Sequence, residues 1–382
     1  MAIAILVVGA CVALVLDTLW IQNAHLELQQ VADASALSAA GQLACDELLL
    51  PSTDSSAVAD RVRQAAANLA AHSRVSGRYA NISPLSGVDV HLGKIILPDD
   101  AGEPQFLEVE SGATSVVVFA HCDSRHGNPI PLFFSHLTGK SQANAIARAE
   151  ASVNNRLLGV RPLDNAPVPA LPLGILEAHT DPRRTDTWII QVEGHQGTDN
   201  YRFDADSNSV VSGSDGLPEI VLHSTLRGNE EEEEKRGNVQ LLDFGTNLRK
   251  QEVLRQIQSG WRWQDLVDFG SEFRTDSGPV SLRSIERIEG SPVDALQSLV
   301  GQVRIVALYR ATGPGLSGGS TRASVQRLVA VRIMSVRQQS TSLEMTVQPA
   351  VIATRTALVD ESLVPQKSVI PNPYIYRISL TY

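Results

Sequence analysis

The sequence predicts an α+β protein in three parts. A transmembrane helix extends into a long amphipathic helix over residues 1–50. A helix-plus-antiparallel-sheet domain follows over 51–156, and a β-rich domain over 157–382. Three observations predict this. The first fifty residues contain no proline and only two glycines, Gly9 and Gly41, among good helix formers. Short alternating or Val-rich runs recur from residue 88 onward. A Pro-rich stretch, Leu158 to Pro172, interrupts the pattern and is expected to connect two domains.

The N-terminal helix is read as apolar first and Ala-rich afterwards. Met1 to Leu16 carry no charged side chain, and Asp17 breaks the run. Adding Thr18 to Ile21 brings the stretch near the roughly 20 residues, at about 1.5 Å each, that span a bilayer. Asp17 then lies close to one interface and Trp20 at the depth of the aromatic belt. No Lys or Arg precedes the run, so its charges set no orientation, and a basic n-region upstream is expected. The alternatives are a cleaved signal peptide and a lipoprotein signal at Val8-Gly9-Ala10-Cys11. The first lacks a small-x-small site directly after the run, and apolar residues continue past the second. A fragment starting near Pro51 is expected to be soluble.

Beyond Pro51, residues 55–70 are a second helix, with Ser55 or Ser56 as its cap. Val88 to Leu97 alternates and reads as a strand, and Ser115 to Ala120 as a more buried one. Gly127 to Gly139 is expected to turn through its prolines into a short apolar helix closed by Gly139. Ala143 to Val153 alternates small with polar residues, as a strand would. In the last part, residues 188–192, 219–223, 303–309, 328–336, 343–348 and 374–382 read as strands. Residues 248–257 and 263–268 read as helical. Glu230 to Glu234 is a solvated acidic loop.

Composition narrows the function. Of 382 residues, 43% are hydrophobic, enough for real cores. The net charge of -10 argues against a nucleic-acid partner, and 5% aromatics against a stacking platform. Of three cysteines, Cys11 lies in the apolar run. Cys45 and Cys122 pair if the soluble part is extracytoplasmic, or remain independent buried thiols.

Residues 16–19 and 28–40, Leu-Asp-Thr-Leu and Leu-Gln-Gln-Val-Ala-Asp-Ala-Ser-Ala-Leu-Ser-Ala-Ala, resemble the N-terminal signature of the TadE/TadG-like proteins of the tight-adherence (Flp) pilus system. A Val-rich strand at Val116 to Ala120, Gly-Asn-Pro-Ile-Pro-Leu-Phe-Phe at 127–134, Gly139 and the alternating Ala143 to Ala151 follow in that family's order. The likeness covers about the first 155 residues, and Gly237 to Gly245 is similar to a segment of large members. The resemblance implies a pilin-like domain on a single-pass inner-membrane anchor, its C-terminal bulk periplasmic or at the cell surface. It also implies other Tad or pilus components as partners through the N-terminal helix. The chain departs from the family's basic leader. It carries no Glu near the start of the apolar run, as a processed pilin would, and no Asp-x-Ser-x-Ser metal motif. The face formed by Ala32, Ala36, Ala39 and Ala40 suits close approach, either by neighbouring helices or by the first soluble domain.

No residue pattern supports catalysis. Gly315 to Gly319 matches Gly-x-Ser-x-Gly, but Gly313-Pro314 before it and Ser320-Thr321 after it make a loop, not a nucleophile elbow. His121, Cys122, Asp123 and His126 have ligand chemistry without a second pair, and are expected to be solvated at a strand end. Asp204-Ala205-Asp206-Ser207-Asn208 with Asp215 echoes a calcium loop. Ser209 replaces its glycine and Asp215 its final glutamate, and a plain hairpin is expected. His179, His195 and His223 show no informative spacing. The sequence therefore reads as a membrane-anchored structural or assembly component, with no enzyme activity, cofactor, metal or small-molecule substrate assigned. The rival is a membrane-anchored extracytoplasmic binding protein, with or without dependence on calcium.

Overall fold

Ala2–Gly41 form one forty-residue helix, α1, in the computed structural model, which describes residues 1–51, 54–96, 103–224, 237–286, 288–311, 321–339, 342–362 and 369–381. The protein is α+β. Its contacts divide it into two units: residues 1–44, 53–154 and 378–382, and residues 45–52 with 155–377.

In the first unit, α1 buries one stripe: Ala13, Asp17, Ala24, Leu28, Ala32, Ala36, Ala39 and Ala40. Spacings of three, four and seven put these residues on one face. The helix stops at Gly41, short of the expected Leu50, and Asp46–Leu49 make a 3-10 turn in the second unit. Helix α2, Ser55–Ala71, packs its Val58, Ala59, Val62, Ala66 and Ala70 face toward α1. Its cap is Asp54, whose Oδ1 accepts from the N–H of Ser56 (3.0 Å) and of Ala57 (3.3 Å). The expected serine cap is thus displaced: Asp54 stands one residue earlier, and the Ser56 hydroxyl donates to it.

Four antiparallel strands of this unit, β1 (Val90–Ile96), β2 (Gln105–Glu108), β3 (Ser115–Cys122) and β4 (Ala145–Asn154), are ordered β4-β3-β1-β2. Three of the four residues of β2 are exposed and none is buried, so it left no alternating signal in the sequence. On β4, Ala145, Ala147, Ala149, Ala151 and Val153 point inward, while Ile146 and Arg148 point to solvent. The inward row faces α1. The expected short apolar helix is a single turn, Ser135–Thr138, closed by Gly139 at φ +70°. The prolines before it instead support a two-residue pairing of Ile130–Pro131 with Gln142–Ala143. The outer neighbour of β4 is the end of the C-terminal strand Ile375–Leu380, where the Thr381 N–H donates to the Glu150 carbonyl (2.8 Å).

In the second unit, β5 (Leu157–Val160) and β6 (Ala170–Leu176) occupy the two ends of the stretch expected to be a domain connection. The chain changes units just before it, between Asn154 and Asn155. Every residue of β6 is buried. Pro172 is tolerated because the pairing of β6 with a later strand is irregular between Ala170 and Gly174. Five strands then close a ring: β6, β8 (Val239–Leu242), β9 (Val280–Ile285), β11 (Thr321–Gln339) and β10 (Val303–Ala311), which pairs back to β6 in parallel. Closure depends on the nineteen-residue β11, which pairs with β9 and β12 (Ser342–Pro349) on one edge and β10 on the other. The strand β7 (Ile220–His223) pairs with β12. Gly174 is required at the β6 crossing, where a Cβ would lie 2.9 Å from both Leu242 Cδ1 and Tyr309 Cδ1. Helices α3 (Lys250–Ser259) and α4 (Ser291–Gln297) pack together. Trp263–Phe269 is a 3-10 helix, and Phe244 stacks on Trp261 at 4.0 Å.

Residues 188–192 are not the expected strand. Ile189–Glu193 form one π-helical turn, with the Gly194 N–H donating to the Ile189 carbonyl (2.7 Å). Trp188 is fully buried at its start against Tyr374. Packing of the indole overrides the β preference of the run.

The α1 stripe bears on the expectation of a soluble fragment from Pro51. Such a fragment loses the helix that covers the β4 alanine row. We expect it to aggregate, and a fragment from Asn23, which keeps Ala24 to Ala40, to remain soluble, as size-exclusion profiles will show. Ala147→Leu overpacks the same seam and should destabilise by about 1–3 kcal/mol. Ile146→Leu, on the exposed face, should stay within about 0.5 kcal/mol in the same denaturation experiment.

Candidate functional site

The most distinctive surface of the first unit is where α1 meets the loop from Gly127 to Phe134. Upstream of it the helix is bare: Val7, Val8, Val12, Leu14, Val15, Leu16 and Leu19 are all exposed. The helix is long and apolar enough to cross a membrane, and only 17% of its most apolar window is buried within the protein. A helix serving as a soluble core would be mostly covered.

Two polar groups interrupt this stretch, and both are satisfied. The Thr18 hydroxyl donates to the Leu14 carbonyl one turn back (2.7 Å). Asp17 lies on the buried stripe, 4% exposed. Its Oδ1 accepts from the Phe133 N–H (3.0 Å) and its Oδ2 from the Phe134 N–H (3.4 Å). A carboxylate in an apolar setting is costly unless such donors meet it. One turn on, the Trp20 indole N–H donates to the Pro131 carbonyl (3.1 Å), and its ring meets Phe133 edge-on at 5.0 Å.

The loop is shaped to reach these partners. Asn128 ties its base: the side-chain amide donates to the carbonyls of Tyr79 (2.8 Å) and His121 (3.0 Å), and its Oδ1 accepts from the Asp123 N–H (3.0 Å). Ile130 is fully buried, and the Leu132 N–H donates to the Ser141 carbonyl (3.0 Å). Phe133 is left 65% exposed beside Leu16 and Leu19. Leu16, Leu19, Trp20, Asn23, Phe133 and Phe134 line a shallow, mostly apolar depression. Apolar residues with an indole and two phenyl rings at one level are the composition of a bilayer's interfacial belt. Asp17 stood out in the sequence as the only charge in the apolar stretch, but nothing there named the loop that receives it.

The remaining sequence candidates are placed as follows. His121, Asp123 and His126 converge, and Asp89 joins the two histidines. They are not solvated as expected, because Asp123 and Cys122 are buried where β3 ends in the turn held by Asn128. Burial opposes ionisation of Asp123, yet hydrogen bonds from the His126 backbone and ring hold its carboxyl below the usual range. Burial, helped by Asp123 and Glu27, pushes the Cys122 thiol up to about 11. Cys11, Cys45 and Cys122 form no disulfide.

Tyr201–Asp204 and Ser209–Ser212 form the hairpin expected around the acidic loop. Asp204 accepts from the Ser207 hydroxyl and the Asp206 N–H, which lower its pKa. Asp215 instead accepts from Gln348 and from the Leu217 N–H. The two acids thus serve separate turns. His179 accepts from the Asp181 N–H, and His223 lies 3.8 Å from Glu344 across a strand pair. Ser317 and its glycines, and Glu230 to Glu234, lie outside the described residues.

If Asp17 is the receptor for the loop, Asp17→Ala leaves two backbone donors unpaired. Hydrogen bonds to a charged group contribute about 1.5–3 kcal/mol, so amide exchange at Phe133 and Phe134 should accelerate about tenfold or more. Unchanged exchange there would show that the loop holds itself.

No family model matches this chain, and no curated protein or solved structure matches it either.

Proposed function

We propose that the chain is a single-pass, membrane-anchored structural component without enzyme activity, a minor pilin-like subunit of a Tad/Flp-type pilus or a related secretion apparatus. The observation that carries this reading is the division of labour along α1. Its first half offers bare apolar side chains, while its second half is sealed by alanines onto an antiparallel sheet. A helix built this way anchors and displays the domain packed on it. The Trp20, Phe133 and Phe134 level suits the membrane–water boundary, and Asp17 is spared exposure to hydrocarbon by the loop's N–H groups. The resemblance of residues 16–40 and 116–151 to TadE/TadG-like proteins supplies the pilus assignment and the extracytoplasmic side. The partners would be lipid and other pilus components reached through the N-terminal helix.

Fractionation tests the anchor. The full chain should sediment with membranes and resist carbonate extraction, and recovery as a detergent-free soluble monomer would overturn the reading. Alkaline phosphatase fused at Tyr382 should be active. An inactive phosphatase, with an active cytoplasmic reporter at the same position, would reverse the topology. Loss of surface pili on deletion of the gene tests the assembly role.

A further inference from the structure

The turn that supports the membrane-proximal loop contains a cluster whose geometry exceeds what holding a turn requires. Asp89, just before β1, places Oδ1 3.0 Å from His121 Nε2, while its Oδ2 accepts from the Ser83 N–H (2.7 Å). Asp123 faces the other nitrogen of both histidines: Oδ1 is 2.8 Å from His126 Nδ1, and Oδ2 is 3.3 Å from His121 Nδ1. That last pair is not aligned as a hydrogen bond, so His121 Nδ1 is a buried nitrogen without a hydrogen-bond partner. The two rings lie 4.5 Å apart, tilted by 31°. One ligand atom each from Asp89, His121 and His126 falls within 4.8 Å of the other two.

We propose that Asp89, His121 and His126 bind a divalent transition ion of the zinc type, with Asp123 as the outer carboxylate that orients both imidazoles. The ligand set is two nitrogens and one carboxylate oxygen, suited to zinc and its neighbours and poorly suited to calcium or magnesium. Ligands about 2.0–2.1 Å from a tetrahedral ion lie roughly 3.3 Å apart, close to the Asp89–His121 separation. An Nδ1–H held by a carboxylate, leaving Nε2 for the ion, is the usual outer arrangement around metal-bound histidine. Here Asp123 already holds His126 Nδ1 in this way, and its other oxygen stands 3.3 Å from the unpartnered His121 Nδ1. Asp89 and Asp123 are nearly fully buried and fixed by backbone donors, whereas His126 is a quarter exposed and gives the ion a way in. Three protein ligands leave a fourth position for water. The bound ion would replace the proton between Asp89 and His121. It would also brace the turn whose Asn128 carries the loop toward Asp17. The sequence concealed the site because Asp89 lies 32 residues before His121.

Full-length protein in detergent, stripped with chelator and titrated with Co²⁺ and then Zn²⁺, tests the proposal. One equivalent of Co²⁺ should give the visible d–d absorption of a four- or five-coordinate site, bleached by Zn²⁺. His126→Ala, which leaves Asp89, His121 and Asp123 in place, should weaken binding about tenfold or more. Asp89→Asn should act alike, and exposed His136→Ala should not. Circular dichroism of each variant separates lost ligation from lost folding. Absence of the absorption band, or a band that survives both His126→Ala and Asp89→Asn in folded protein, would overturn the site.

Discussion

The first unit depends on how closely a helix can lie against a sheet. Alanines from Ala24 to Ala40 on α1 meet alanines from Ala145 to Ala151 on β4, so neither side spaces the backbones apart. Such a seam gains little from any single side chain. Its strength lies in dense contact along its length, and interiors this tight tolerate no added volume. The small residues also fix which face of α1 is covered, and therefore which face remains apolar and bare. Asp17 reinforces that choice: it sits on the same stripe and is met there by two backbone donors, so rotation of the helix would strand its charge. The bare apolar half of α1 and the domain are thus parts of one packing solution.

Much of this was legible. The helix, the alternation of β4 and the Val-rich β3 carry periodicities that name their own partners as faces, and the structure places them as those periods require. What escaped was non-local or unpatterned. β2 is too exposed to alternate. Residues 158–172 contain four prolines and look like a linker, but β6 hides its Pro172 in an irregular pairing with β10. Trp188 to Val192 has a strand's composition and forms a π-turn because an indole needed burial. Among the site residues, Asp17 and the loop are separated by 116 positions, and only the fold joins them. The calcium-like spacing from Asp204 to Asp215 is real in the sequence, yet the residues are divided between a hairpin turn and the Gln348 side chain.

The second unit handles buried charge in its own way. Glu177 is shared by Arg310 and Arg327, and Arg327 also reaches Glu193. Glu219 is buried with donors from Thr198, Asn200 and Tyr201, but its burial raises its pKa nevertheless. A folded-state pKa above the unfolded value means that the protonated acid is favoured by folding. Its contribution is present at low pH and fades as pH rises through the folded value. Removing either partner from such networks costs more than the pair contributes, because a charge is left behind in the interior.

The C-terminal strand has a consequence for the order of synthesis. Ile378 to Thr381 complete the sheet edge beside β4, although they follow the whole second unit along the chain. The outer edge of β4 therefore stays open while residues 155–377 emerge from the ribosome. An alanine-rich strand with an unpaired edge is a template for wrong pairing during that interval. Helix α1 and β4 can meet early, but the sheet closes only after the last strand arrives. The first unit is thus the earlier to begin folding and the later to finish.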